Sequence, residues 1–198
     1  MRQFVFKFMY FLLIFIIFFN IQKSFASEKK ILMIIAHKDF RDEELLIPKK
    51  MFEENGYKVV IASSSLEIAE GMLGAKVKPD ILIEDVKIND YKAIVFVGGV
   101  GAREYFHNPD ALRIVKEAVK EKKVLGAICL APRILAEAGV LKGKKATVWR
   151  SEGKFLETKG AIYTGNPVEV DGKIVTGAGP FAAKEFAKKI LKLLEKNN

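Results

Sequence analysis

Val124-Leu-Gly-Ala-Ile-Cys129-Leu-Ala-Pro132 is the stretch of this chain whose residue types and order best support chemistry. An apolar run ends at a cysteine, and a helix-opening proline follows three residues later. A thiol at that junction faces the first N–H groups of a helix, whose partial positive charge favours thiolate and whose free donors can hold an oxyanion. Gly126, Ala127 and Ala131 permit a tight turn around it. The chain has a single cysteine, so this thiol closes no internal disulfide: it is either a small buried apolar group or a reactive one. Its position at an elbow between strand and helix favours the second.

Two other stretches carry residues suited to the same site. Ile94-Val-Phe-Val-Gly98-Gly99-Val-Gly101 runs from an apolar segment into glycines, which let backbone N–H groups approach a ligand closely. It fails as a dinucleotide fingerprint for want of a third glycine, and no Lys-Ser/Thr follows for a phosphate loop. An oxyanion role fits it better, and no cofactor or metal is expected. His37-Lys-Asp-Phe-Arg-Asp-Glu43-Glu44 brings carboxylates to the start of a helix, where most acids merely cap and one could bond to the thiol. The chain has two histidines, His37 and His107. Both are placed in loops from which either could swing toward Cys129 as a pocket residue.

These loops need a parallel sheet to bring them together, since ligands in such sheets bind beyond the carboxyl ends of the strands. The pattern supplies one. Nearly continuous apolar runs at Ile31–Ala36, Tyr57–Ala62, Ala93–Val97 and Val124–Cys129 read as strands covered by helices on both faces. Helices are expected over Glu43–Asn55, from Asn108-Pro109 to about Lys122, and from Pro132 to Ala138. Pro48 is best tolerated in a first turn, which predicts a later start for the first of these. Leu66–Val86 reads as a small β excursion at the sheet edge. Short strands at Ala146–Trp149 and Ala161–Thr164, a hairpin turning at Asp171-Gly172 and a helix over Phe181–Glu195 complete one α/β domain.

Residues 1–26 read as a targeting segment. Arg2 and Lys7 precede an apolar run from Phe8 to Phe19, shorter than the roughly 18 residues a bilayer-spanning helix needs, and Ser24-Phe25-Ala26 sets small residues for cleavage before Ser27. The expectation is an exported, periplasmic or secreted protein of residues 27–198, with no membrane association after cleavage. Thirty-three basic against 24 acidic side chains make the chain basic. The lysines are scattered along helix-like stretches rather than gathered in a stripe, so nucleic-acid binding is not expected.

Phe40-Arg-Asp-Glu-Glu44-Leu-Leu-Ile-Pro48, Gly98-Gly99 and Ala127-Ile-Cys129-Leu-Ala-Pro132 together resemble the DJ-1/PfpI family of the class I glutamine amidotransferase-like superfamily. The likeness continues through Ala138–Lys145, Val168–Thr176 and Gly179-Pro180, in family order. It implies a flavodoxin-like, doubly wound and mostly parallel sheet with helices on both faces, in a homodimer or higher homo-oligomer. It also implies that Cys129 is the elbow nucleophile, Glu44 its acid, and Gly99 with Leu130 the backbone donors beside it. Two departures stand out. Members resembling peptidases carry histidine directly after the cysteine, where this chain has Leu130; branches resembling DJ-1 carry a histidine at a position that corresponds here to Trp149, read as a pocket wall.

The preferred reading is thiol chemistry on small electrophiles or oxidants, glyoxalase- or deglycase-like or in redox stress response. The alternatives are a PfpI-type cysteine peptidase or amidase and a noncatalytic redox sensor or binding protein. Glu44 is expected to sit protonated beside Cys129 and to lower the thiol pKa by donating to the thiolate, because two ionised groups in contact repel.

Overall fold

A computed structural model describes residues 29–196, so the expected targeting segment lies outside the described residues. The strands are β1 (Lys30–Ile34), β2 (Lys38–Phe40), β3 (Lys58–Ser63), β4 (Ala69–Gly71), β5 (Lys76–Val77), β6 (Ile81–Leu82), β7 (Ala93–Phe96), β8 (Val124–Ile128), β9 (Lys145–Ala146), β10 (Ile162–Tyr163), β11 (Val168–Asp171) and β12 (Ile174–Gly177). The helices are α1 (Asp42–Glu54), α2 (Pro109–Lys120), α3 (Pro132–Glu137), α4 (Gly153–Thr158) and α5 (Ala183–Glu195).

Seven strands form the central sheet in the order β11-β12-β8-β7-β1-β3-β6. All neighbours are parallel except the β11–β12 hairpin, which turns at the expected Asp171-Gly172. The residues of β7 and β8 are buried throughout, which requires cover on both faces. Helices α1 and α5 pack on one another, and α5 lies on β8 and β12; α2 packs against β8 and α3. Gly126 permits the close approach of α5: a methyl group in its place would stand 2.8 Å from both Ile190 and Phe186. From β1 the chain crosses to β3 on one side and β7 lies on the other. That reversal opens a crevice at the carboxyl ends of β1, β7 and β8.

Local chemistry accounts for the helix starts. Asn108 caps α2 by accepting from the Ala111 N–H at 3.0 Å, and Pro109 occupies its first turn, where a missing N–H is harmless. Helix α1 does not begin late as Pro48 predicted. It runs from Asp42 through Pro48, which sits buried in its interior. Proline has no N–H to give the carbonyl four residues back, that of Glu44, and the packing of α1 on β3 and α5 offsets this cost.

Two expectations about the smaller strands need correction. The excursion does not sit on the edge of the main sheet as a unit: β4 and β5 join β2 in a separate three-stranded sheet, and only β6 pairs with β3. The strand expected over Ala146–Trp149 stops at Ala146, paired with β10, so Trp149 lies beyond it. Among the described residues no helix is long and apolar enough to cross a membrane.

Candidate active site

Cys129 is the first residue after β8 and has φ of 62°. A non-glycine residue in this left-handed region costs roughly 1–2 kcal/mol, so the surroundings must hold it there. They do so from both sides: the Cys129 N–H donates to the Gly177 carbonyl at 2.9 Å, and its own carbonyl accepts from the Trp149 N–H at 2.8 Å. The turn lifts the thiol off the strand. Backbone N–H groups of Gly99 and Leu130 point at the sulfur, and both favour its ionised form.

Glu44, fully buried in the first turn of α1, stands behind the thiol. Its Oε2 accepts from the Gly98 N–H at 3.0 Å, and the Arg41 N–H donates to the Gly98 carbonyl at 3.0 Å. Gly98 is therefore gripped on both sides by the start of α1. A methyl group on it would stand 2.5 Å from the Cys129 Cβ, the Glu44 Oε2 and the Ile128 carbonyl, so only glycine lets the acid and the thiol lie this close. Glu44 Oε1 has no hydrogen-bond partner among the described residues; the Cys129 thiol is the other group that interacts with the carboxyl beside the Gly98 N–H.

Burial pushes the Glu44 carboxyl up to about 8, against the pull of its bonds to Cys129 and Gly98. At neutral pH it mostly holds its proton, as the sequence led us to expect. Burial, and then the charge of Glu44 once ionised, pushes the thiol up to about 12. The expectation that Glu44 lowers the thiol pKa therefore needs a condition: a protonated Glu44 can donate to the thiolate, whereas an ionised one opposes it.

The thiol opens into a cavity of about 270 Å³. Of the residues singled out from sequence, Cys129, Gly99, Leu130 and Trp149 line it; Glu44 lies beneath. The two histidines, expected as pocket residues, do not line it. The His37 N–H donates to Glu104 Oε1 at 3.4 Å, and His107 is an exposed side chain with Nε2 3.9 Å from Glu137. Their loops leave the sheet at the right edge but point elsewhere. The rest of the wall was not anticipated: Arg41, Met72, Val100, Arg103, Ser151 and Pro180. Arg41, Arg103 and Pro180 stand within or just after stretches already of interest, while Met72 and Ser151 arrive only through the fold. Asp42 fastens the Met72 loop by accepting from the N–H groups of Leu73 and Ala75, each at 2.8 Å. No group of three metal-ligating side chains occurs among the described residues.

A sequence model of the DJ-1/PfpI family matches residues 29–193. An uncharacterised protein of Methanocaldococcus jannaschii is 46% identical over 90% of this chain and 89% of its own length. A glutathione-independent glyoxalase of Caenorhabditis elegans is 29% identical over 86% and 91%, and a deglycase of Pyrococcus furiosus 32% identical over 84% and 99%. The crystal structure of a ThiJ/PfpI domain protein from Brachyspira murdochii superposes with a TM-score of 0.84 at 29% identity, covering 86% of this chain and 99% of that one.

Proposed function

The chain belongs to the DJ-1/PfpI family, and from that premise we propose that it uses Cys129 in glyoxalase- or deglycase-like chemistry on small carbonyl electrophiles. One observation carries the reading: a thiol held on a left-handed elbow, with two N–H donors on its sulfur and a protonated buried carboxyl behind it, opens into an apolar-walled cavity. The names of the glyoxalase and deglycase relatives point the same way.

The sulfur attacks while the pair's single negative charge rests on it and Glu44 holds the proton. A C–S bond forms to the aldehyde carbon, and the carbonyl π pair moves to oxygen. Glu44 gives its proton to that oxygen and, now a carboxylate, takes the hydrogen from the same carbon; the C–H electron pair passes to the adjacent carbonyl. The enediol so formed is reprotonated at the second carbon to give a thioester, and water then breaks the C–S bond, releasing the hydroxy acid and the thiol. Burial favours the return of a proton to Glu44, which resets it for the next step.

Peptide hydrolysis is the weaker reading. Leu130 follows the cysteine where a histidine would serve, and no histidine lines the cavity. That same lack of an imidazole favours a second reading, a thiol that is oxidised without turnover. Incubating wild type and Cys129→Ser with methylglyoxal, unmodified peptides and hydrogen peroxide in parallel separates the readings. Lactate from wild type alone supports the enzyme; a protein that leaves methylglyoxal untouched but forms sulfenic acid at Cys129 is the sensor.

The proposal extends to place and assembly. Arg2, Lys7, the apolar run to Phe19 and Ser24-Phe25-Ala26 support export and cleavage before Ser27. Exposed Leu46 and Ile47 on α1 support self-association as a homodimer or higher oligomer.

A further inference from the structure

We propose that the cavity over Cys129 selects carbonyl compounds that carry a carboxylate, held by Arg103 with Arg41. This rests on the reading of Cys129 as a nucleophile toward small electrophiles and names the substrate class that reading leaves open. Two arginines, Arg41 and Arg103, are among the residues that line the cavity, and no acid is. The remaining lining is Met72, Val100, Leu130, Trp149, Ser151, Pro180 and the backbone of Gly99, around the thiol of Cys129. A wall of this composition offers apolar area for a short carbon chain and positive charge for one end of it.

The two arginines are not equivalent. Arg41 is already matched, its Nε and Nη2 donating to Glu43 at 2.8 and 3.0 Å. Arg103 has no side-chain hydrogen bond or ion pair among the described residues. Its sequence neighbour Glu104 turns away to accept from Ser64 Oγ at 3.0 Å and from the His37 N–H. With Glu43 offsetting Arg41 and Glu44 protonated at neutral pH, one positive charge remains over the cavity. That balance matches a carboxylate monoanion better than a phosphate dianion, and a guanidinium can meet a carboxylate with two parallel hydrogen bonds.

The test uses paired alkylating reagents, because both form the same S–CH2 bond with loss of iodide and differ in charge. Rate constants for iodoacetate and iodoacetamide at Cys129 are measured by mass at pH 7, and their ratio is compared with that of a free thiol. Using the ratio cancels changes in thiol pKa and in folded fraction. The expected ratio in wild type exceeds the free-thiol value, falls about three- to fivefold in Arg103→Gln, is largely kept in Arg103→Lys, and declines as salt is raised. Glyoxylate is expected to protect Cys129 from iodoacetamide at lower concentration than methylglyoxal does. A wild-type ratio equal to that of a free thiol, or one unmoved in Arg103→Gln, overturns the proposal. Stronger protection by inorganic phosphate than by glyoxylate overturns the carboxylate assignment. None of these readings needs turnover, so a protein inert toward methylglyoxal can still show the anion preference, and one that makes lactate can still lack it.

Discussion

Where the single negative charge of the Glu44–Cys129 pair rests decides how fast the thiol reacts. Below about pH 8 the carboxyl is mostly protonated and available as a donor to sulfur. As pH rises toward that value, singly ionised pairs accumulate and a share of them are thiolates. Between about 8 and 12 the pair keeps one charge, because a second must form against both burial and the ionised carboxylate. The rate of Cys129 alkylation by iodoacetamide is therefore expected to climb to about pH 8 and then flatten. In Glu44→Gln, which donates but never ionises, the climb should continue past that point; in Glu44→Leu, with no donor, alkylation at pH 7 should be slower than in Glu44→Gln. A wild-type rate rising without a break through pH 10 would show that the two groups titrate independently. The same proton links to stability. The folded chain holds a proton on Glu44 that the unfolded chain releases in the ordinary carboxyl range, so this group's contribution to stability falls as pH rises from there to about 8. Urea midpoints of wild type and Glu44→Gln across pH 5 to 8 measure that difference. Gly98→Ala, which forces a methyl group between the acid, the thiol and a backbone carbonyl, is expected to cost about 1–3 kcal/mol and to slow alkylation.

Helix α1 does more than deliver Glu44. Through Asp42 it ties down the turn between β4 and β5, and with it Met72 at the cavity wall. Bonds to a charged acceptor contribute roughly 1.5–3 kcal/mol each. Asp42→Ala is expected to leave the central sheet intact while loosening this loop, seen as faster hydrogen exchange at Leu73 and Ala75 with little change at β7 and β8. How much of this was legible in sequence depends on how local the signal is. The apolar runs of β1, β3, β7 and β8 and the Asn108-Pro109 start of α2 are local, and each element was placed within a residue or two. The hairpin at Asp171-Gly172 was legible for the same reason. Pairing of β2 with β4 joins positions 31 and 32 residues apart in the chain, Phe40 with Gly71 and Lys38 with Glu70, without a compositional mark, and nothing in the Asp42 side chain foretells that it accepts from a distant turn. Pro48 points to a later helix start because the packing that offsets its cost is not visible in the local sequence. Within the site, the cysteine and the glycines stood out by type and place. The histidines drew attention by type alone, and their loops direct them away.

At the scale of the molecule, the expectations concern what happens to the chain as a whole. If residues 1–26 direct export, protein recovered from its native source will have the intact mass of a chain beginning at Ser27 and will fractionate as soluble; a full-length mass in detergent-extracted membranes would mark the segment as an anchor. Light scattering on that material is expected to give at least a dimer, and Leu46→Glu with Ile47→Glu to shift it toward monomer. The sheet order that sets β1, β7 and β8 side by side also gathers the chain's one tryptophan to the same opening, since the Trp149 backbone N–H donates to the Cys129 carbonyl and the residue lines the cavity. The protein thus carries its own optical probe at the reactive thiol. Excited near 295 nm, its emission has no contribution from any second indole. Alkylation of Cys129 is expected to change the intensity or wavelength of that emission in step with the mass increase, and Cys129→Ser to show neither, so occupancy of the site can be followed in real time without a label or a known substrate.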